Sequence, residues 1–247
     1  MALYRSDAFV LHTYNLGESD QIVVLFTQDY GKVRAVARRS RSARRQTASY
    51  YQPLMLLHVI LFGRPSQALH RINSVDIVEP LRALRDDFDI MQCGLYMTEL
   101  IDVTTRDREP APELFALLHL GLEELTQTPS ADTLLRLFEL QLLRLIGYAP
   151  QVFGCTRCAQ DTMSDETTFS PSLGGLLCRA CAAEQRHTLT LQPETLTYLR
   201  EVILSEADTA PLLPQAPSIR QEIEHVLHQH LTARLGRELK SYAFLHL

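Results

Sequence analysis

Hydrophobic and polar positions alternate with a short period over the first eighty residues and with a helical period over the rest. Ala8 to Tyr14 is a β-branched and aromatic run closed by Asn15-Leu-Gly17. Gln21 to Thr27 is a second run, closed by Gln28-Asp-Tyr-Gly31, and Lys32 to Arg38 is a third. In the third, Val33, Ala35 and Ala37 fall on one face and Lys32, Arg34 and Arg38 on the other, which predicts a packed side and a basic side. After a polar loop, Leu54 to Phe62 reads as a continuous apolar strand, Gly63-Arg-Pro-Ser66 as a turn, and Gln67 to Val78 as a fifth strand. Five short strands at this spacing predict a small closed or half-closed barrel. An OB-fold is the usual choice for single-stranded nucleic acid, and an SH3-like barrel is the alternative.

From Pro80 onward the apolar spacing becomes helical. Leu81 to Val103 predicts one helix, Pro112 to Leu125 a second, and Ser130 caps a third that runs to Ile146 before Gly147. The third carries leucines around much of its circumference and is expected at the centre of a bundle. A helix from Glu194 to about Glu206 and a last one capped by Ser218 and running to Leu235 complete the pattern. His225, His228 and His230 lie close together on the last helix, without a carboxylate arrangement to match, and read as a solvated face. The fold class is therefore α+β. Residues 1–80 form the barrel, 81–150 a helical bundle, 151–187 a cysteine-containing insertion, and 188–247 the helices that complete the bundle.

The charge distribution changes this picture. The net charge of -5 over 247 residues does not suggest a polyanion binder. Residues 1–80, however, hold 10 Lys and Arg against 6 Asp and Glu, a balance of +4, and the remainder holds 14 against 23. The excess is concentrated between Gly31 and Gln46, where Lys32, Arg34, Arg38, Arg39, Arg41, Arg44 and Arg45 occur with no acid. A loop that only needs water usually mixes signs, whereas a one-sign, Arg-rich run suits a phosphate backbone. Tyr50 and Tyr51 follow, placed either to stack on bases or to cap the barrel core.

Cys155-Thr-Arg-Cys158 and Cys178-Arg-Ala-Cys181 stand nineteen residues apart. Two CxxC pairs at this spacing fold as opposed knuckles around one tetrahedral zinc, each sulfur about 2.3 Å from the metal. Disulfides, a redox pair and a vestigial site are the alternatives. The chain shows no secretory leader pattern and leaves Cys93 over in an apolar helical run, which leads to the expectation of a reducing cytoplasm. Four sulfur ligands leave no coordination position for water, so the expected zinc cross-links the chain and does not catalyse. No Gly-rich loop ending in Lys-Ser or Lys-Thr occurs, so ATP hydrolysis is not expected, and no apolar run approaches the ~20 residues of a membrane span.

Several segments together resemble one family. They are Leu16-Gly-Glu-Ser-Asp20, the stretch from Phe26 to Ala37, Phe138-Glu139 leading to Leu145-Ile-Gly-Tyr-Ala-Pro150, and Gly174-Gly175 ahead of Cys178. In this order they resemble the RecO family of bacterial recombination and repair mediators, over nearly the whole chain. The resemblance implies an N-terminal OB-fold, a helical bundle and a zinc module. It also implies binding of single- and double-stranded DNA, annealing of complementary strands, and loading of recombinase onto DNA coated by single-stranded DNA-binding protein (SSB), together with RecR and in many members RecF. Action in the cytoplasm at the nucleoid follows from that role. The resemblance further places the acidic tail of SSB on the helical domain, with Arg136 as its receptor. The plain alternative for Arg136 is a stem laid over the bundle and paired with Asp132 or Glu139. Arg39 and Ala159 stand where the family often has glycine, which alters the loop's path in one case and bears on the left-handed turn of a zinc knuckle in the other.

Two other functions remain open from the residues alone. A general OB-fold binder without mediator activity differs in failing to anneal SSB-coated strands. A zinc-dependent hydrolase or deaminase needs an open metal position and a nearby Glu, and His187 near Cys181 carries no such motif.

Overall fold

The structure, a computed structural model, describes residues 2–38, 40, 46–64, 67–79, 81–128, 130–160, 167–205, 213–214 and 216–245. The chain divides into two units, Met1–Ala131 with Leu239–Leu247, and Asp132–Glu238.

In the first unit, five strands close a barrel in the order β1-β2-β3-β5-β4. They are β1 (Ala2–Leu16), β2 (Asp20–Thr27), β3 (Gly31–Ala37), β4 (Leu56–Gly63) and β5 (His70–Glu79). β1 pairs with β4 through Ala2 to Phe9 and with β2 through Ala8 to Leu16, bending at a bulge between Val10 and His12. The seam between β3 and β5 is the one parallel pairing, so the barrel has OB-type closure. β1 therefore starts six residues before the apolar run that predicts it. Arg5, Ser6 and Asp7 interrupt the hydrophobic pattern yet hold the strand. Ser6 Oγ donates to Asp29 at 2.7 Å, and Asp7 meets its cross-strand partner His58 at 2.7 Å.

One strand face fills the barrel with Ala8, Val10, Val23, Leu25, Leu57 and Val59. The other face of the same stretch, Phe9 and Phe26, packs on Phe115 with ring centroids 5.1 and 5.9 Å apart. Burial on both faces explains why the run is uninterrupted where the helices cover it. Each buried Val, Leu or Phe among them contributes about 1.5–3 kcal/mol. The β2–β3 turn needs Gly31, whose φ is 66° and whose Cβ would sit 2.0 Å from the carbonyl oxygen of Glu109.

The helices of this unit are α1 (Ala83–Asp86), α2 (Phe88–Thr104) and α3 (Pro112–Glu124). The single helix expected over Leu81 to Val103 is broken at Asp87, which is extended and caps α2 by accepting from the amides of Asp89 and Ile90. The chain end returns to this unit, where the Glu99 carboxylate on α2 accepts from the backbone amides of Lys240 and Ser241.

The second unit begins within α4 (Ala131–Leu145) and contains a three-stranded sheet in the order β7-β6-β8. Its strands are β6 (Thr167–Ser170), β7 (Gly175–Leu177) and β8 (Leu189–Leu191). The short α5 (Arg179–Ala182) follows β7, and α6 (Pro193–Leu204) and α7 (Pro217–Leu235) close the unit. β8 lies beyond the expected module boundary at residue 187, because Leu189 to Leu191 pair with β6. Helix α7 is entered with Pro217 at its first position after Ala216, so Ser218 stands inside the helix and not at its cap. Among the described residues, no helix is long and apolar enough to cross a membrane.

Candidate functional site

The barrel's outer face is built by alternation. In β3, Val33, Ala35 and Ala37 are buried and Arg34 is exposed, with Arg38 exposed just beyond the strand. Lys32 corrects the simple pattern. It is only 8% exposed, and its ammonium donates to the Asp102 carboxylate at 2.9 Å and to the Asp102 carbonyl. Buried and paired to α2, it does not reach a phosphate. Arg34 is half-exposed and meets Asp107 at 3.0 Å. Acids of the α2 end and the α2–α3 connection thus engage two of the seven basic residues, which the sequence distance between them conceals. Arg39, Arg41, Arg44 and Arg45 lie outside the described residues. Tyr51 belongs to the barrel core, and Tyr50 is half-buried.

Strand register adds residues that the linear run does not contain. Val36 of β3 pairs with Arg71 of β5, Arg71 pairs with Phe62 of β4, and Phe62 pairs with Leu3 of β1. Cross-strand partners share a face, so Arg71 stands beside the row of Arg34 and Arg38. Leu3 and Phe62, 57% and 37% exposed, continue the row as an apolar and aromatic strip next to the cations. A row of guanidiniums beside an exposed ring can neutralise phosphates and offer a π-face at the same time. The signal for Arg71 in the sequence is an isolated Arg in a strand, which becomes informative only when the β3–β5 pairing is known.

In the second unit, the Sγ atoms of Cys155, Cys158, Cys178 and Cys181 all lie within 4.8 Å of one another, and none is in a disulfide. Cys158 and Cys178 are 3.7 Å apart. Four sulfurs at 2.3 Å from a tetrahedral centre stand about 3.8 Å apart, so the cluster matches that edge. Each knuckle is closed by backbone bonds, Ala159 N–H to Cys155 O and Ala182 N–H to Cys178 O, at 2.8 and 2.9 Å. Burial raises the Cys155 thiol, but backbone amides of Cys178, Cys158 and Arg157 outweigh it together and bring the thiol down to about 6. Cys181 is pushed up to about 12, first by its hydrogen bond with Cys178 and then by desolvation. The donor set, its spacing and its amides fit a closed tetrahedral metal site. Ala159 has φ 60°, the left-handed conformation that glycine tolerates best.

Arg136 does not present the surface receptor expected of it. It is 0% exposed, with Glu139 at 3.3 Å and Asp132 at 3.7 Å, both on α4. Its charge also reaches Tyr198 on α6 and His228 on α7. A peptide carboxylate cannot meet this guanidinium without opening the packing, and the pairing with Asp132 and Glu139 explains the residue. The histidines of α7 also differ from a solvated face. His225 is exposed and His228 half-buried, while His230 is buried, its Nε2 donating to the Tyr148 carbonyl oxygen at 2.8 Å.

Fold and site together define a class, an OB-type barrel protein with a helical region and a four-cysteine knuckle module. The chain matches the family model for the recombination protein O N-terminal domain over residues 1–81 and that for the C-terminal domain over residues 85–243. It belongs to the recombination protein O family. Similar proteins include the DNA repair protein RecO of Symbiobacterium thermophilum, 34% identical over 99% of this chain and 97% of the relative. That of Myxococcus xanthus is 34% identical over 99% and 98%, and that of Bacillus pumilus 29% identical over 98% and 93%.

Proposed function

We propose that this chain is a DNA repair protein that binds single- and double-stranded DNA, anneals complementary strands, and acts with RecR, and with RecF, to load recombinase onto SSB-coated DNA. The observation that carries the reading is the barrel face on which Arg34 and Arg38 lead into the Arg-rich loop and Arg71 stands alongside. Annealing requires a cationic surface that neutralises two backbones and leaves base edges free to pair. Arg34, Arg38 and Arg71, exposed on the outside of the barrel, supply such a surface in this reading. Zinc held by Cys155, Cys158, Cys178 and Cys181 has a structural role in this reading, since sulfur fills every position. The SSB tail stays among the partners of the helical region without Arg136 as its receptor. The reading assigns no catalytic step and places the protein in the cytoplasm at the nucleoid.

The test is annealing of complementary strands, bare and SSB-coated, by wild type and by a variant with Arg34, Arg38 and Arg71 changed to Ala. Loss of both reactions in a variant that melts like wild type is the expected result. Annealing of bare strands that stops whenever SSB is present would instead indicate a general nucleic-acid binder. An unimpaired variant would remove this face from the model.

A further inference from the structure

A second cluster of metal-ligating groups lies in the first unit, away from the cysteines. His119 and Glu123 are separated by four residues on α3 and so share one helix face. Glu79, the last residue of β5, reaches the same point. The Nε2 of His119 lies 3.6 Å from Glu79 Oε2 and 3.4 Å from Glu123 Oε1, and one ligand atom from each of the three lies within 4.8 Å of the others.

These separations are too long for the bonds they would otherwise be. His58 and Asp7, elsewhere on the barrel, show a direct imidazole–carboxylate hydrogen bond at 2.7 Å. His119 Nε2 makes none to either carboxylate, and the atom is itself shielded from solvent without a hydrogen-bond partner among the described residues. A buried ring nitrogen aimed between two carboxylate oxygens is an unmet requirement that costs free energy. Ligands about 2.0–2.2 Å from a tetrahedral first-row dication stand about 3.3–3.6 Å apart, which matches the two spacings from His119 to its carboxylates. The ring is packed edge-on against Phe9, centroid distance 5.8 Å, which fixes its orientation. The two carboxylates are each more than a third exposed, which leaves a path for an ion to enter.

The geometry points to a second metal site, His119, Glu79 and Glu123, that takes a first-row divalent cation such as Zn²⁺ and leaves the remaining coordination to water. One imidazole and two carboxylates suit a borderline metal and not a soft one, so this site differs in chemistry from the cysteine cluster. Bound metal ties the exit of the barrel's last strand to α3. Such a site is exchangeable, because only three protein ligands hold it and two are solvent-accessible.

The difference in donors makes the test specific. Protein with its cysteine cluster loaded with zinc is titrated with Co²⁺ and followed by visible absorption and calorimetry. The expected result is one further equivalent whose spectrum has weak ligand-field bands and no thiolate charge-transfer band, accompanied by a higher melting temperature. Glu123→Gln, Glu79→Gln and His119→Ala are each expected to weaken that equivalent at least tenfold. The melting temperature in chelator should stay that of wild type for the two Gln variants, which keep side-chain shape. Wild type that takes no further metal, or a further equivalent retained unchanged in all three variants, overturns the proposal. In the first case the cluster is a histidine packed between two carboxylates without metal.

Discussion

Lys32 and Arg38 come from one basic run but have opposite surroundings, and single substitutions should separate them. Lys32 is buried against Asp102, whose side chain keeps some exposure, so Lys32→Ala is expected to cost about 1–3 kcal/mol of stability with little change in DNA affinity per folded molecule. Arg38 is exposed, and Arg38→Ala is expected to leave stability unchanged within about 0.5 kcal/mol. It should flatten the salt dependence of single-strand binding by about 0.7 log unit. Urea unfolding and salt-titrated binding check the pair, and a Lys32→Ala variant with normal stability and a flattened slope would reverse the assignment. The contrast shows what the sequence discloses at this scale. Alternation distinguishes the faces of β3, but Asp102 and Asp107 lie about seventy residues downstream, and no local pattern announces that they return to neutralise it. Ala159 is the opposite case, since the left-handed turn that ends the first CxxC pair involves only its immediate neighbours and the constraint is local, whereas the second pair continues into α5 without such a turn.

Helix α4 reads from its leucines as a buried helix, and Leu135, Phe138, Leu142 and Leu143 are indeed buried. What the apolar pattern misses is that Arg136 and Glu139 are buried with them. An Arg in a leucine-rich helix is normally assigned to the surface, because desolvating a lone cation costs several kcal/mol. Here the carboxylates one turn away on either side remove that objection. Arg136→Ala is therefore expected to destabilise the protein by about 3–5 kcal/mol, because it removes the cation paired with the Glu139 carboxylate at 0% exposure. The double variant Arg136→Met with Glu139→Leu should recover most of the loss, and a double variant as unstable as the single one would show that the ion pair is not the cause. Helix α7 adds a pH dependence. Burial lowers the pKa of His230 below 6.5, against the opposing effect of its bond to the Tyr148 carbonyl. The folded state thus favours neutral imidazole, and its contribution is present above the unfolded value and lost as pH falls from 6.5 toward the lowered one. His228 shifts in the same direction, also through burial. Urea midpoints between pH 7.5 and 5 should fall in wild type and fall less in His230→Gln, which keeps a donor for Tyr148. Parallel declines would assign the loss to other groups.

At the scale of the whole molecule, the cysteine pairs and the basic run belong to different units, so the proposed roles of the two predict that each can be removed without the other. The three-stranded sheet beside the knuckles has strands of only three or four residues, and the buried cluster around the sulfurs is Cys155, Leu177 and Cys178. So small a core does not hold two knuckles together by burial, whereas a tetrahedral metal supplies folding free energy directly. The place of the four-cysteine cluster in the sequence is legible because the spacing of such ligands is fixed by coordination geometry. The limits of the units are not, because the chain end at Lys240 and Ser241 docks on Glu99 through backbone amides that leave no mark in the sequence. Cys155→Ser, or chelation of wild type, is expected to lower the melting temperature of the second unit and open its amides to hydrogen exchange. The barrel amides of the first unit should stay protected, and the affinity and salt slope for single-stranded DNA should change less than threefold per folded molecule. Exchange read residue by residue, with metal content measured on the same sample, decides the matter. Protein purified without metal and with all four thiols reduced, yet as protected around Cys155 and Cys178 as the metal-loaded form, would show that packing alone holds the knuckles.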